Sequence, residues 1–142
     1  MNKKSDGLTL VELIIVLAVI AVIGAILIPN FINVTDKARL KSDTQSARVL
    51  QNAIDLYNAE QTAKLNTASG MASVISELDR LGYISEKNAV LQTDGAVWAY
   101  SAARGHVVVD ISGCTGDNEH IRSKVFSQLN DAERAFVIGN AP

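Results

Sequence analysis

Gly7-Leu8-Thr9-Leu10-Val11-Glu12-Leu13 opens a run that stays apolar through Ile28. Between Leu8 and Val34 the only ionisable side chain is Glu12. That stretch is long enough to cross a bilayer, which takes about 17–25 helical residues. Leu10, Leu13, Ile14, Leu17, Ile20, Ile23 and their neighbours are apolar all round the helix. A helix with no solvent face has to lie in lipid or among copies of itself. A carboxylate in such a rod is costly, about 2.5–3.5 kcal/mol at the centre and less near an end. Glu12 therefore needs a partner or a route to the interface.

The whole chain bounds what the rest can be. Its 142 residues suit one domain, or a small domain with an anchor. Setting the first third aside leaves roughly ninety residues for a soluble head with a thin core. The net charge of −2 carries no nucleic-acid footprint, and DNA binding stays open because a neutral sum can hide a patch. Cys114 is the only cysteine, so no intrachain disulfide can form; a buried side chain is its expected role.

Residues 1–7 are short and polar, with Lys3 and Lys4 ahead of the apolar run. Positive charge there holds that end on the cytoplasmic side. A secretory signal peptide also begins basic and then apolar, but its core runs about 7–15 residues to a small-residue cut site. Here the run is longer, contains Glu12 near its start, and offers only Val22-Ile23-Gly24.

The heptapeptide Gly7–Leu13, with Pro29 further on, resembles the processing signature of type IV pilins and of the pseudopilins of type II secretion. The resemblance rests on the first thirty residues or so, with Leu8 in place of the more usual Phe or Met. It implies a cut between Gly7 and Leu8 by a prepilin peptidase, and N-methylation of Leu8. It implies assembly through Glu12, with Thr9 as a member of the motif, into a homopolymer. An inner-membrane platform and a cytoplasmic ATPase motor would serve that assembly, since this chain shows no nucleotide-binding motif. It further implies a resting place in the cytoplasmic membrane, single-pass with the amino terminus inside, and a cell-surface fibre after assembly. Pilus and secretion or competence pseudopilus share this whole signature. A monomeric membrane-anchored binding domain is the reading from another class, and a tethered enzyme a third.

The residue chemistry fits these roles. Gly7 lets an extended backbone enter a protease site closely. Glu12 lies one helical turn beyond the new amine of Leu8, where it can pair within one subunit, accept a neighbour's amine, or snorkel to the headgroups. A unit charge pair at about 4 Å is worth about 4 kcal/mol at an effective dielectric of 20, comparable to the burial cost. Pro29 cannot donate to the carbonyl of Ala25, and Gly24 costs about 1 kcal/mol of helix propensity. A kink or melted segment is expected around residues 22–29, unless neighbouring helices re-satisfy the freed carbonyl.

After Pro29 the pattern turns amphipathic, with Phe31, Val34, Ala38, Val49, Leu50, Ala53, Ile54, Leu56 and Tyr57 at three- and four-residue spacing. One helix is expected from about Leu8 to Ala59, roughly 75 Å long. A short helix around Val74–Leu81 stops at Gly82. Three strand candidates follow, at Ala89–Gln92, Ala96–Ala102 and His106–Ser112, joined by Asp94-Gly95 and Arg104-Gly105 turns. A last helix over Glu119–Leu129, capped by Asp117 or Asn118, precedes an Asn130–Glu133 cap and Phe136-Val137-Ile138 as a final turn or edge strand. The expected fold is α+β: a long helix, its apolar half projecting and its amphipathic half packed on a small antiparallel sheet. The expected parts are a leader (1–7), a membrane or fibre-core helix (8–30) and a head (31–142).

Other chemistry is poorly supported. Cys114 and His120 are two metal-type ligands where zinc needs three or four. Asp110, Asp117, Asn118 and Glu119 lack the rhythm of a calcium loop. No nucleophile-base-acid set or phosphate-cradling glycine loop stands out. No catalytic residue, metal or cofactor is expected. Purified from its host, the chain should have lost residues 1–7 and gained one methyl on Leu8 by intact-mass spectrometry; an intact Met1 favours a plain anchor.

Overall fold

The computed structural model describes residues 9–139; the leader and Leu8 lie outside it. Helix α1 runs unbroken over Leu10–Glu60. Its first half projects from the head, and large apolar side chains from Leu10 to Val34 stand exposed. Its second half enters a small head built from α2 (Met71–Arg80), a sheet and a C-terminal tail. Strand β1 is Val97–Ser101, β2 is His106–Asp110, α3 is Asp131–Arg134 and β3 is Val137–Ile138. The expected α+β layout with a projecting helix is the one found.

The face that α1 buries differs from the expected stripe. Leu40, Ala47, Leu50, Ala53 and Ile54 reach the core, whereas Phe31, Val34, Val49 and Leu56 are exposed. Two carboxylates of the same helix, Asp36 and Asp43, are buried as well. Asp43 is fully buried because it accepts the N–H groups of Gln92 and Thr93, both at 2.8 Å. Arg39 meets Asp36 at 3.5 Å and Asp94 at 3.4 Å.

That same contact removes one expected strand. The segment leading to Gln92 closes as a 3₁₀ turn over Glu86–Ala89 and is then pulled onto α1 by Asp43. The sheet is therefore a mixed one, not an antiparallel meander. Its order is β1-β2-β3, with Trp98 opposite Val109 in the antiparallel pair and Val109 opposite Val137 in the parallel one. The segment between β2 and β3 packs on α1, and β3 runs parallel to β2. Val107, Val109 and Ile111 face the α1 core as their alternation requires, joined by Val137. Trp98 and Tyr100 pack against that core half-buried, and the Trp98 indole donates to the Ala89 carbonyl at 2.6 Å.

Local stop signals behave as read. Gly82 takes φ +82° after α2, and Tyr83 N–H donates back to Leu78 O at 2.9 Å, closing a Schellman turn. Asn130 and Glu133 form a reciprocal capping box at 2.8 and 3.0 Å. Those bonds to Asn130, together with Lys41 at 3.0 Å, hold the Glu133 carboxyl below the usual range. The helix expected over Glu119–Leu129 is irregular: a 3₁₀ turn at Gly116–Asn118 leads into a π-helical turn over Ile121–Val125. Neither Asp117 nor Asn118 caps it with a side chain. The extra residue per turn accommodates Ile121 and Val125 in the core together with Leu129.

Without a disulfide, the C-terminal third is tied by donors to backbone carbonyls. Arg104 Nη1 reaches Ala135 O at 2.7 Å and Val137 O at 2.9 Å, Arg48 reaches Ala132 O at 3.0 Å, and Arg122 reaches Gly139 O at 3.1 Å. Cys114 is buried and its thiol donates to Asp94 O at 3.3 Å; burial pushes its pKa up. Gly113 lies so close that a Cβ there would meet Gly95 O at 2.7 Å, so these two turns lock together only as glycines.

Asp43→Ala should destabilise the head by about 2–4 kcal/mol, because two N–H groups lose their acceptor. Asp43→Asn, which keeps one acceptor, should cost about half as much. Urea titration of the detergent-solubilised full chain measures both.

Candidate assembly site at the start of the helix

The features singled out in the sequence lie along the exposed half of α1. Thr9 is the N-cap, with extended backbone at φ −74° and ψ 151°. Its hydroxyl accepts from Glu12 N–H at 3.2 Å, while Glu12 Oε2 accepts from Thr9 N–H at 2.8 Å and from the Thr9 hydroxyl at 2.9 Å. This is a capping box, and it satisfies polar groups that an apolar surrounding would penalise. It also puts a negative charge in the first turn, where the helix dipole favours it. Glu12 Oε1 takes no bond among the described residues. One oxygen thus serves the cap.

Sequence reading left Thr9 without a role of its own, yet Thr9-Leu10-Val11-Glu12 has the spacing of a capping box. Gly7 and Leu8, the expected cut and methylation positions, lie outside the described residues.

Further along, α1 stays helical through Gly24 and Pro29. Asn30 Nδ2 donates to Ile26 O at 3.1 Å and the Thr35 hydroxyl donates to Phe31 O at 3.0 Å. These polar side chains are thereby satisfied on their own helix, which keeps the rod compatible with a dry environment. A Cβ built on Gly24 meets nothing within 4 Å, so no contact inside this subunit demands a glycine there. Packing within the subunit leaves that glycine unexplained.

Three of the residues weighed for metal binding, Cys114, His120 and Asp110, are engaged otherwise. His120 Nε2 lies 2.7 Å from Asp36 Oδ2 and its Nδ1 lies 2.9 Å from Asp117 O. The Asp110 carboxylate accepts Ser112 N–H at 2.8 Å. Among the described residues, no three His, Cys, Asp or Glu side chains converge on one point. The His120–Asp36 contact fastens the tail to α1 where the helix enters the head; two residues 84 apart carry no local sign of it.

Comparison with known proteins adds to this geometry. The family model for the prokaryotic N-terminal methylation motif matches residues 2–28. The chain is 41% identical over 59 residues to prepilin peptidase-dependent protein A of Clostridium perfringens, covering 42% of each protein. It is 34% identical over 74 residues to the type IV wide pilus major component PilA4 of Thermus thermophilus, covering 52% of this chain and 54% of that one. It is 28% identical over 74 residues to type II secretion system core protein G of Escherichia coli, covering 52% and 51%. The matches span about half the length of these relatives. No solved structure matches significantly.

Thr9→Ala removes the cap and should weaken the first turn by about 1 kcal/mol. Amide exchange at residues 10–12 in micelles should then rise about fivefold, with Thr9→Ser close to wild type.

Proposed function

We propose that this chain, which carries the prepilin-type amino-terminal signature of the type IV pilin and type II secretion pseudopilin family, is a structural subunit that polymerises into a type IV pilus fibre. The observation that carries the proposal is a bare apolar rod with one carboxylate, capped yet half free, at its start. Processing cuts between Gly7 and Leu8 and methylates Leu8. Residues 8–30 then wait in the cytoplasmic membrane as a single pass, with residues 31–142 outside. On assembly the rods leave lipid for the fibre core, and the heads form the sheath.

In that transfer the new amine of one subunit reaches Glu12 Oε1 of another and sets the stagger. The Thr9 cap need not break, because it uses Oε2. Gly24 and Pro29 are the positions where the rod yields when neighbours pull on it, since helix propensity is lowest there. The partners are further copies of the chain, a prepilin peptidase, an inner-membrane platform and an ATPase motor on the cytoplasmic side. The work of the fibre is adhesion, motility or DNA uptake. A pseudopilus subunit is the second reading, favoured by the likeness to core protein G.

Electron microscopy of the producing cells separates the two, since a pilus is displayed as long surface fibres. Glu12→Ala should cut fibre yield at least about tenfold while the urea midpoint of the head is unchanged. Fibres of normal yield and register in that variant would rule out the charge pairing.

A further inference from the structure

Between Glu12 and Asn30 the rod carries no polar side chain. The two are eighteen residues apart, five whole turns at about 3.6 residues each, and so share a face. Around the exposed Asn30 a groove of about 500 Å³ is lined by Leu27, Ile28, Phe31 and Val34, with Asn30 as its one polar side chain. Asn33, the next polar residue along, is its neighbour three places on. Asn30 donates one N–H to Ile26 O at 3.1 Å; its other N–H and its Oδ1 take no bond among the described residues. The Thr35 hydroxyl is bonded to Phe31 O, while the Asn33 side chain takes no bond among the described residues.

Leu8 to Asn30 spans roughly 33 Å of helix, close to the thickness of the hydrocarbon core. In the bilayer Asn30 therefore stands at the outer headgroups, where water meets its amide. A fibre core has no such water. Lipid tails cover the rod but offer the amide nothing, whereas another rod can cover it and bond it. The seventeen large apolar side chains from Leu10 to Val34 expose roughly 1,500 Å², nearly twice the ~800 Å² that one partner gives to a stable interface. A second copy of the rod thus has ample surface to hold.

We infer that Asn30 of one copy pairs with Asn33 of a second, amide to amide, as a further polar contact that fixes the register of the rods. This rests on the polymer reading above, in which the Leu8 amine of one copy meets Glu12 of another. That meeting offsets the two rods by four residues, roughly 6 Å. Asn30 of the first copy then stands level with Val34 of the second, a single residue from Asn33. Thr35 is equally near in height, but its hydroxyl is taken, and five residues turn it roughly 140° from the face of Asn30. Each amide has a donor and an acceptor for the other. Glu12 and Asn30 are satisfied by one and the same offset, which the uniformly apolar surface between them could not select.

The test is made on the full chain in its host, with fibres sheared from the cells. Asn30→Cys and Asn33→Cys chains expressed together should give disulfide-linked dimers on oxidation of the fibres, and neither expressed alone should. Cys114 is buried and adds no background. At equal amounts of processed subunit, Asn30→Leu and Asn33→Leu should each lower fibre yield about fivefold, because each leaves one amide unpaired. The double variant, which leaves none, should recover most of the yield. Fibres without the mixed dimer, single variants that assemble like wild type, or losses that add in the double each overturn the pairing and leave the polymer standing. Absence of fibres from the wild-type chain overturns the polymer and this pairing with it.

Discussion

A rod that is greasy on every side cannot stay in water, and the rest of the molecule is arranged around that constraint. Between Leu10 and Val34 seventeen large apolar side chains stand exposed. At roughly 1.5–3 kcal/mol each, covering them is worth roughly 25–50 kcal/mol. The net stability of a small domain is about 5–15 kcal/mol. No rearrangement of so thin a head offers comparable burial, so the cover comes from lipid or from other rods. The cap at Thr9 and Glu12, and the back-bonded Asn30 and Thr35, are what such a rod needs to remain helical without water.

The head solves a different problem, that of holding a long tail on a small core. Burial alone is limited at this size. Here polar side chains reach across the fold to backbone groups: Asp43 to Gln92 and Thr93, Gln51 to Val107, Arg104 to Ala135 and Val137. Gln51 is instructive, because Val107 N–H lies on the side of β2 facing β3, before β3 begins to pair. A helix side chain completes the ladder there. These ties cross-link the head without a disulfide, and Cys114 stays a buried thiol.

Features governed by neighbours a few residues apart were legible in the sequence. The apolar rod, the Asn130–Glu133 box, the turn at Gly82 and the alternation of Val107, Val109 and Ile111 all follow from spacing. So did the resemblance of the amino-terminal stretch to a prepilin, since the family model for the prokaryotic N-terminal methylation motif matches residues 2–28. The Thr9 cap was equally local and was hidden only because an apolar stretch draws attention to its hydrophobicity. The face of α1 was misread because Val49 and Leu56 look like core residues, while Asp36 and Asp43 look like surface ones. Their burial depends on His120, Gln92 and Thr93, far along the chain.

By itself the sequence determined the long helix, its division into a bare and a packed half, and a lone carboxylate at its start. Those follow from the pattern of apolar and charged residues within a few turns, where each position meets neighbours three or four places away. Only the tertiary structure decided the mixed strand order, the irregular turn over Ile121–Val125, and the burial of Asp36 and Asp43. These depend on pairings between residues some fifty to eighty apart, whose energies exist only once the chain has closed on itself.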